Sequence, residues 1–268
     1  MDLLSVNGTG LSLDKLRDTL IRLEDTIIFG LIERAQFAWN PRIYEKGSFN
    51  FVDGFNGSFF EYFLHEVEAV HARVRRYQSP DEYPFTTPLP QPILPALDYP
   101  PTLHANDVNI NPKLLNAYLE HIVPTLCTHA DDQNYGSSAT RDIECLQALS
   151  RRIHYGKFIA EAKFVADPEG YTKLIRANDR AAIERLLTAP EVEARLLRRL
   201  RRKALIYGQD ITEDGTVVCS TGETATHGAG RPGKINLDLV VELYEKYVIP
   251  LTKEVEVEYL MQRLDSQQ

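Results

Sequence analysis

The feature that most constrains the fold is a helical repeat of apolar residues along most of the chain. Between residues 11 and 38, leucines and isoleucines return every three or four positions, with Ser12 as a suitable N-cap and "WNP" as a stop signal. The stretch "EVEVEYL" lies inside a longer helical period and has no flanking turn signals, so it is not interpreted as a strand. The sequence therefore predicts an all-α fold, with further helices over 58–78, 112–129, 138–166, 179–187, 190–207 and 235–264.

Two stretches interrupt this pattern. Residues 79–112 hold nine of the fifteen prolines and are expected to form an extended connection. Residues 208–234 hold six of the fifteen glycines and are expected to form a flexible loop. Amphipathic helices on both sides of each stretch need partners, so we expect a single helical-bundle domain over 1–268 and a symmetric homodimer that buries the remaining apolar surface.

Composition narrows the classes of function. A formal charge of −8 argues against general nucleic-acid binding, so the basic stretch "ARLLRRLRRKALIYG" is interpreted as an exposed helix rim. A nucleic-acid-binding protein remains an alternative that would require salt-sensitive binding. The three cysteines form no CxxC pair, which suits reduced thiols, and no metal site is expected. No apolar run is long enough to span a bilayer, so a soluble, cytoplasmic protein without membrane contact is expected.

One predicted helix carries an unusual amount of positive charge. In "SRRIHYGKFIAEAKF", residues 150–164, Arg152 and Lys163 are eleven residues apart, about three helical turns, so both project from one face. Gly156 and Ala160 lie between them and leave room for a compact dianion. The same spacing fits two cations whose stems cover apolar surface while their charged ends reach solvent.

Three other places could bind or act on a ligand. The turn Gly136–Ser138 leads into a helix and could offer free N–H groups to an anion, or Ser137 or Ser138 could simply cap the helix. Arg75 and Arg76 end a predicted helix, where cations are common and usually solvated. Near the C-terminus, Glu256 borders an apolar strip, either solvated or desolvated with a raised pKa. Signatures of nucleophilic, metal and phosphate-loop chemistry are missing from the sequence.

Four segments together carry a family resemblance. They are "LRDTLIRLEDTIIFGLIERAQFA", "RVRRYQSPDE", "GSSATRDIECLQALSRRIHYGKFIAEAKF" and "IPLTKEVEVEYL", and the likeness covers most of the chain. In these segments the chain resembles the eukaryotic, yeast-type chorismate mutases. The resemblance implies an all-helical homodimer that converts chorismate to prephenate, on the route to phenylalanine and tyrosine, by a cofactor-free [3,3] rearrangement. That reaction needs no nucleophile, metal or cofactor.

The resemblance also implies roles for the charged residues. Arg17 and Arg152 would hold the two carboxylates of the substrate, and Lys163 would reach its ether oxygen. Glu256 would be a second donor to that oxygen, which requires a protonated carboxyl group and hence a raised pKa.

Two further residues, Glu193 and Thr252, match positions that contact the hydroxyl end of the substrate and support the site. Ala189 stands where the yeast pattern has an asparagine, so one polar contact is lost or replaced by water.

A second, regulatory site follows from the same resemblance. In the family an aromatic amino acid lies at the dimer interface; tyrosine inhibits and tryptophan often activates. Gln133 replaces an asparagine of the yeast pattern and the loop at 208–234 is longer, which leaves the sign and size of the tryptophan effect open. A noncatalytic sensor of aromatic amino acids is the main alternative. The effector-binding residues that the resemblance implies are Arg75 and Arg76 of one chain with Asn134, Gly136, Ser137 and Thr140 of the other.

Overall fold

The structure, a computed structural model, describes residues 12–52, 54–211, 213, 217–218 and 234–265. The described chain is built from α-helices, which confirms the all-α prediction. Its strands are limited to one antiparallel pair of two-residue segments, β1 (Asp210–Ile211) and β2 (Val217–Val218). The helices are α1 (Leu13–Arg34), α2 (Phe59–Arg73), α3 (Asn111–Ala117), α4 (Val123–Leu126), α5 (Tyr135–His154), α6 (Gly156–Ala166), α7 (Pro168–Arg176), α8 (Arg180–Leu187), α9 (Pro190–Tyr207), α10 (Leu237–Leu243) and α11 (Ile249–Met261).

Two predicted helices, 112–129 and 235–264, are each interrupted by a π-helical turn. The turn Tyr118–Ile122 joins α3 to α4, and the turn Tyr244–Val248 joins α10 to α11. In both cases a proline, Pro124 or Pro250, is the second residue of the following helix. Proline lacks an N–H donor and its ring crowds the preceding turn, so the wider turn accommodates it without ending the helix.

The predicted helix 138–166 starts earlier and is divided. It begins at Tyr135 without a side-chain cap, so neither Ser137 nor Ser138 caps it. Instead, the Ser138 hydroxyl accepts a hydrogen bond from the Asn40 side chain at 3.0 Å. The helix breaks at Tyr155, where α5 gives way to α6.

Helix α7 was absent from the sequence prediction. It is short, and the Asp167 carboxylate caps it by accepting a hydrogen bond from the Gly170 N–H at 3.0 Å. With α8 it forms a small subassembly that packs against α6 and α11.

The helices pack so that segments far apart in sequence are neighbours. Helix α1 runs along α5 and also contacts α6 and α9, while α11 runs along α6. The main core lies among α1, α2, α5 and α9 to α11, with residues such as Leu31, Leu146 and Val255. A second core, which includes Phe164 and Leu260, joins α6, α7, α8 and α11. This packing brings α1, α5, α6, α9 and α11 around one cavity.

The proline-rich stretch 79–110 contains no helix or strand and lies against the bundle. The buried Glu68 carboxylate accepts hydrogen bonds from the N–H groups of Phe85 and Thr86. The buried Lys157 amine, on α6, donates to the Tyr83 hydroxyl at 2.9 Å and to the Val108 carbonyl at 2.6 Å. These contacts hold the connection at several points along its length.

The glycine-rich segment predicted as a flexible loop, 208–234, lies mostly outside the described residues. Among the described helices, none combines the length and the apolar character needed to cross a bilayer.

Candidate active site

A cavity of about 430 Å³ opens between α1, the α5–α6 junction, α9 and α11. Its floor includes Gly156, the first residue of α6, and its walls combine aliphatic side chains with an unusual number of charged groups. The lining contains every residue that the sequence analysis assigned to catalysis: Arg17, Arg152, Lys163, Glu193, Thr252 and Glu256.

Arg152 and Lys163 lie on consecutive helices rather than on one continuous helix. Arg152 is in the last turn of α5 and is buried; its Nη1 lies 3.5 Å from the Thr252 hydroxyl, and its Nε has no hydrogen-bond partner. Lys163 is in α6, and its Nζ donates to the carbonyl of Leu187 at 2.8 Å. Burial lowers the pKa of Lys163, and the neighbouring Glu256 carboxyl group acts in the opposite direction. The site thus contains two desolvated cations.

Glu256 is the acidic group of the cavity, on α11. Its side chain is buried, and burial raises its pKa to about 7, although Lys163 and Arg152 favour the ionised form. A carboxyl group with this pKa is protonated in a large fraction of molecules near neutral pH. It can therefore donate a hydrogen bond to an oxygen that gains negative charge.

Thr252 and Glu193 occupy the wall formed by α11 and α9. The Thr252 hydroxyl donates to the Val248 carbonyl at 2.6 Å, which leaves its oxygen free to accept from Arg152. Glu193 forms an ion pair with Lys253 at 2.9 Å. Lys253 was not among the sequence-based candidates, and the spacing within α11 does not indicate a partner on another helix.

Arg17 differs from the other cations because its side chain is 58% exposed, next to Asp14 at 3.3 Å. It lies on α1 at the open side of the cavity. Ala189 also lines the cavity, directly before α9, where its carbonyl accepts from the N–H groups of Val192 and Glu193. A methyl group at this position provides no polar contact to a ligand.

Sequence reasoning missed an ion pair in the wall of the cavity. Glu24 on α1 is fully buried, and its two carboxylate oxygens accept from Arg199 on α9 at 2.9 and 2.6 Å. Lys203 adds a third contact to Glu24 at 3.2 Å. A signal was present, since Glu24 falls within the apolar stripe of α1 between Leu23 and Ile27. A charged residue at such a position requires a partner.

The residues assigned to effector binding fall into two groups within one chain. Arg75 adopts a left-handed backbone conformation with φ 69°, and its Nη1 donates to the Pro95 carbonyl at 2.7 Å. Arg76 binds Glu82 at 3.2 Å and the Gln147 side chain at 3.0 Å.

The second group lies at the start of α5. Asn134 precedes the helix, Gly136 and Ser137 form its first turn, and the Thr140 hydroxyl donates to the Gly136 carbonyl at 2.8 Å. Gln133, next to this group, has φ 63°. Within the described part of one chain, no hydrogen bond or ion pair joins the two groups.

Comparisons with known proteins agree with this geometry. A family model described as chorismate mutase type II matches residues 134–257. The chorismate mutase of Schizosaccharomyces pombe is 47% identical over 97% of this chain and 100% of its own length. Chorismate mutase 1, chloroplastic, of Petunia hybrida is 48% identical, covering 95% of this chain and 76% of the relative.

Solved structures give the same result for the fold. Aro7p chorismate mutase from Candida albicans, in complex with L-Trp, has a TM-score of 0.85 and 40% identity, covering 96% of this chain and 94% of that one. AtCM1 with tyrosine bound in its allosteric site has a TM-score of 0.82 and 46% identity, covering 97% and 99%. The sequence identity over nearly the full length, together with this fold, shows that the chain belongs to the type II chorismate mutase family.

Proposed function

We propose that this chain converts chorismate to prephenate in the cavity between α1, α5, α6, α9 and α11. The observation that carries the proposal is the pairing of two desolvated cations with a buried acid whose pKa is raised: Arg152, which is buried, and Lys163, which is half-buried, lie beside Glu256. Chorismate is a dianion with an ether oxygen that gains negative charge during the reaction. The cavity offers cations for its two carboxylates and hydrogen-bond donors for the ether oxygen.

The reaction is an intramolecular rearrangement in which the ether C–O bond breaks while a C–C bond forms. Arg152 binds one carboxylate, and Arg17, at the open side, binds the other. Together they hold the substrate in the compact conformer in which the two reacting carbons approach each other. Because the electrons shift within one molecule, no group is transferred to the protein.

Charge stabilisation at the ether oxygen lowers the barrier. Lys163 Nζ and the protonated Glu256 carboxyl group donate hydrogen bonds to this oxygen as negative charge develops on it. Both groups are desolvated, so their interaction with that charge is stronger than it would be in water. Glu193, oriented by Lys253, and Thr252 contact the hydroxyl end of the substrate and support the site.

The direct test follows the loss of the ultraviolet absorbance of chorismate. The wild-type protein should show turnover, and Arg152→Ala should abolish it. Arg198→Ala is the matched control because Arg198 is exposed on α9 and does not line the cavity. Binding of chorismate without turnover by the wild-type protein would overturn the proposal.

We further propose that tyrosine inhibits and tryptophan activates the enzyme at a second site. The start of α5 supports this because its N–H groups lack a side-chain cap and suit the carboxylate of an amino acid. The Candida albicans relative was solved with L-Trp, and AtCM1 with tyrosine in an allosteric site. The site would combine Arg75 and Arg76 of one protomer with Asn134, Gly136, Ser137 and Thr140 of the other.

Activity assays with each amino acid test this regulation. Thr140→Ala should weaken the response to tyrosine while leaving turnover without effector unchanged. An unaltered tyrosine response in Thr140→Ala and in Arg75→Ala would contradict the proposed location.

A homodimer is part of this proposal. Val70 on α2 and Val74, directly after it, are 55% and 52% exposed, and Ile93 and Leu94 of the proline-rich connection are 73% and 45% exposed. These residues form one patch because the Ile93 N–H donates to the Arg73 carbonyl at 3.0 Å. The patch adjoins Arg75, where a second protomer would complete the effector site. Light scattering should give a dimer for the wild-type chain and a monomer for Val74→Glu.

We also propose that the chain folds as one domain and acts in the cytoplasm. The contacts of α1 with α5, α6 and α9 support a single domain, for which calorimetry should show one cooperative transition. Cys127 and Cys145 are buried, unpaired thiols, which suits a reducing compartment. Several plant relatives are named chloroplastic, so imaging of a fluorescently tagged full-length protein would distinguish the two locations.

A further inference from the structure

We propose that Arg195 is a substrate-binding residue at the mouth of the cavity, where its guanidinium group attracts the dianion and increases the affinity for it. This inference rests on the proposed function, because it takes a dicarboxylate as the ligand. It follows from the charges that line the cavity and from which of those charges are already neutralised.

Two of the cations in the lining are neutralised by acids of the protein. Arg199 donates from Nε and Nη2 to the two oxygens of the buried Glu24 carboxylate, at 2.9 and 2.6 Å. Lys253 is paired with Glu193 at 2.9 Å. The positive charge of each of these two cations is therefore balanced within the protein and attracts a dianionic ligand only weakly.

None of the other cations of the lining has a buried acidic partner among the described residues. Arg152 is buried and Lys163 is half-buried, and neither forms an ion pair with an acid among the described residues. Arg17 is paired with Asp14 at 3.3 Å, but the two side chains are 58% and 90% exposed, so water screens this pair. With Glu256 protonated, these three cations face the two carboxylates and the ether oxygen of the substrate. The remaining lining cation, Arg195, has no acidic partner among the described residues and no position at the reacting atoms.

The position of Arg195 on α9 explains why it faces the entrance. Arg195 and Arg199 are four residues apart, so their side chains lie on the same side of the helix. Arg199 is hydrogen-bonded to Glu24, whereas Arg195, one turn closer to the N-terminus, is exposed and also lines the cavity. Helices α1 and α9 pack against each other, so the two exposed cations of the lining, Arg17 and Arg195, come from adjacent helices.

The physical effect of such a residue is a long-range attraction that salt weakens. An exposed cation acts on a dianion mainly through water, and over about one Debye length, roughly 10 Å, this attraction is weak, so the removal of Arg195 should raise KM for chorismate about two- to fourfold and leave kcat unchanged. A charge reversal should produce a larger rise in KM than the truncation does. Positioning of the reacting atoms remains with Arg152 and Lys163.

The experiment compares Arg195→Ala and Arg195→Glu with the same two substitutions at Arg198. Arg198 lies on the same helix and is also exposed but does not line the cavity, so each pair of variants changes the net charge equally. Measured in buffers from low to high KCl, KM of the wild-type enzyme should rise with salt. In Arg195→Ala this salt dependence should be weaker, while the Arg198 variants should behave as wild type.

Two results would overturn the inference. If the Arg195 and Arg198 variants change KM equally, net charge and not the position of Arg195 is responsible. If Arg195→Ala lowers kcat and leaves KM unchanged, Arg195 acts in the chemical step and not in binding at the mouth. Wild-type turnover, measured in the same series, separates a failure of this inference from a failure of the proposed activity.

Discussion

Gly156 on α6 lies so close to α11 that a Cβ atom at this position would be 3.1 Å from Cγ of Glu256. The same Cβ would lie 3.1 Å from the carbonyl oxygen and from Cγ2 of Thr252. The absence of a side chain at Gly156 therefore permits the close packing that buries the Glu256 carboxyl group beside Arg152 and Lys163. A single glycine links the packing of two helices to the chemistry of the site.

Gly156→Ala should therefore lower activity out of proportion to its effect on stability. Overpacking of this kind costs roughly 1–3 kcal/mol of unfolding free energy and displaces neighbouring groups. We expect a clear fall in kcat, measured alongside urea unfolding. Thr252→Ser removes Cγ2 and keeps the hydroxyl group, so the double variant Gly156→Ala, Thr252→Ser should recover part of the loss. Wild-type kcat in Gly156→Ala would show that this packing does not position Glu256.

The protonation state of Glu256 should give the enzyme a characteristic pH profile. Because burial raises its pKa to about 7, turnover should fall as pH rises through neutrality and the carboxyl group loses the proton that it donates. Glu256→Gln keeps a neutral donor at every pH, so its kcat should stay nearly constant over the same range. A decline of the same shape in both proteins would assign the profile to another group.

Glu256 should also affect stability, with a sign that follows from its raised pKa. Between the unfolded-state pKa of 4.5 and the folded-state value of about 7, the folded chain binds more protons than the unfolded chain. Stability contributed by this group is therefore fully present below pH 4.5 and is lost as pH rises towards 7, by up to about 3 kcal/mol. Urea unfolding should show Glu256→Gln to be more stable than wild type at pH 8, with little difference at acidic pH.

The buried ion pair between Arg34 and Asp142 should be important for stability. Arg34 Nε lies 2.6 Å from Asp142, both side chains are fully buried, and the hydroxyl groups of Tyr44 and Tyr118 also donate to this carboxylate. Asp142→Ala would leave a buried, unpaired guanidinium group and should cost about 3–5 kcal/mol in urea unfolding. Glu144→Ala is the matched control.

The control removes a comparable charge pair on the same helix. Glu144 pairs with Arg141 at 2.7 Å, but the Arg141 and Glu144 side chains are 37% and 50% exposed, so its loss should change stability by less than about 1 kcal/mol. Similar losses of unfolding free energy in the two variants would mean that burial does not determine how much the Arg34–Asp142 pair contributes to stability.

Glu82 should couple Arg76, one of the proposed effector-binding residues, to the C-terminal end of α5. It pairs with Arg76 at 3.2 Å and lies 3.9 Å from Arg151, which is adjacent in sequence to Arg152, the residue that we propose binds a substrate carboxylate. Glu82→Gln should weaken the tyrosine response because Arg76 loses an ionic partner, while kcat without effector stays close to wild type. The control is Glu61→Gln, because Glu61 forms an ion pair with Lys46 at an exposed position. An equal response to tyrosine in wild type and Glu82→Gln would exclude this connection.

The periodicity of the sequence was sufficient to predict most of the helices and the all-α class, since these helices bury an apolar stripe. It could not locate the π turns before Pro124 and Pro250, because the apolar pattern continues through a π turn with little change. It also missed α7, a nine-residue helix that begins at Pro168. The break at Tyr155 was also missed, because Tyr155 itself keeps right-handed helical angles (φ −59°, ψ −17°) and the apolar pattern shows no interruption there.

Within the candidate site, spacing placed Arg152 and Lys163 on one face, and the family resemblance supplied the remaining assignments. The ion pairs of Glu24 with Arg199 and of Glu193 with Lys253 could not be predicted, because each joins two helices that are distant in sequence. The sequence by itself determined which segments become helices and which charged side chains are available to the cavity. The tertiary structure decided which cations stay unpaired and raised the pKa of Glu256, because charge pairing and pKa depend on burial and on neighbours from distant helices.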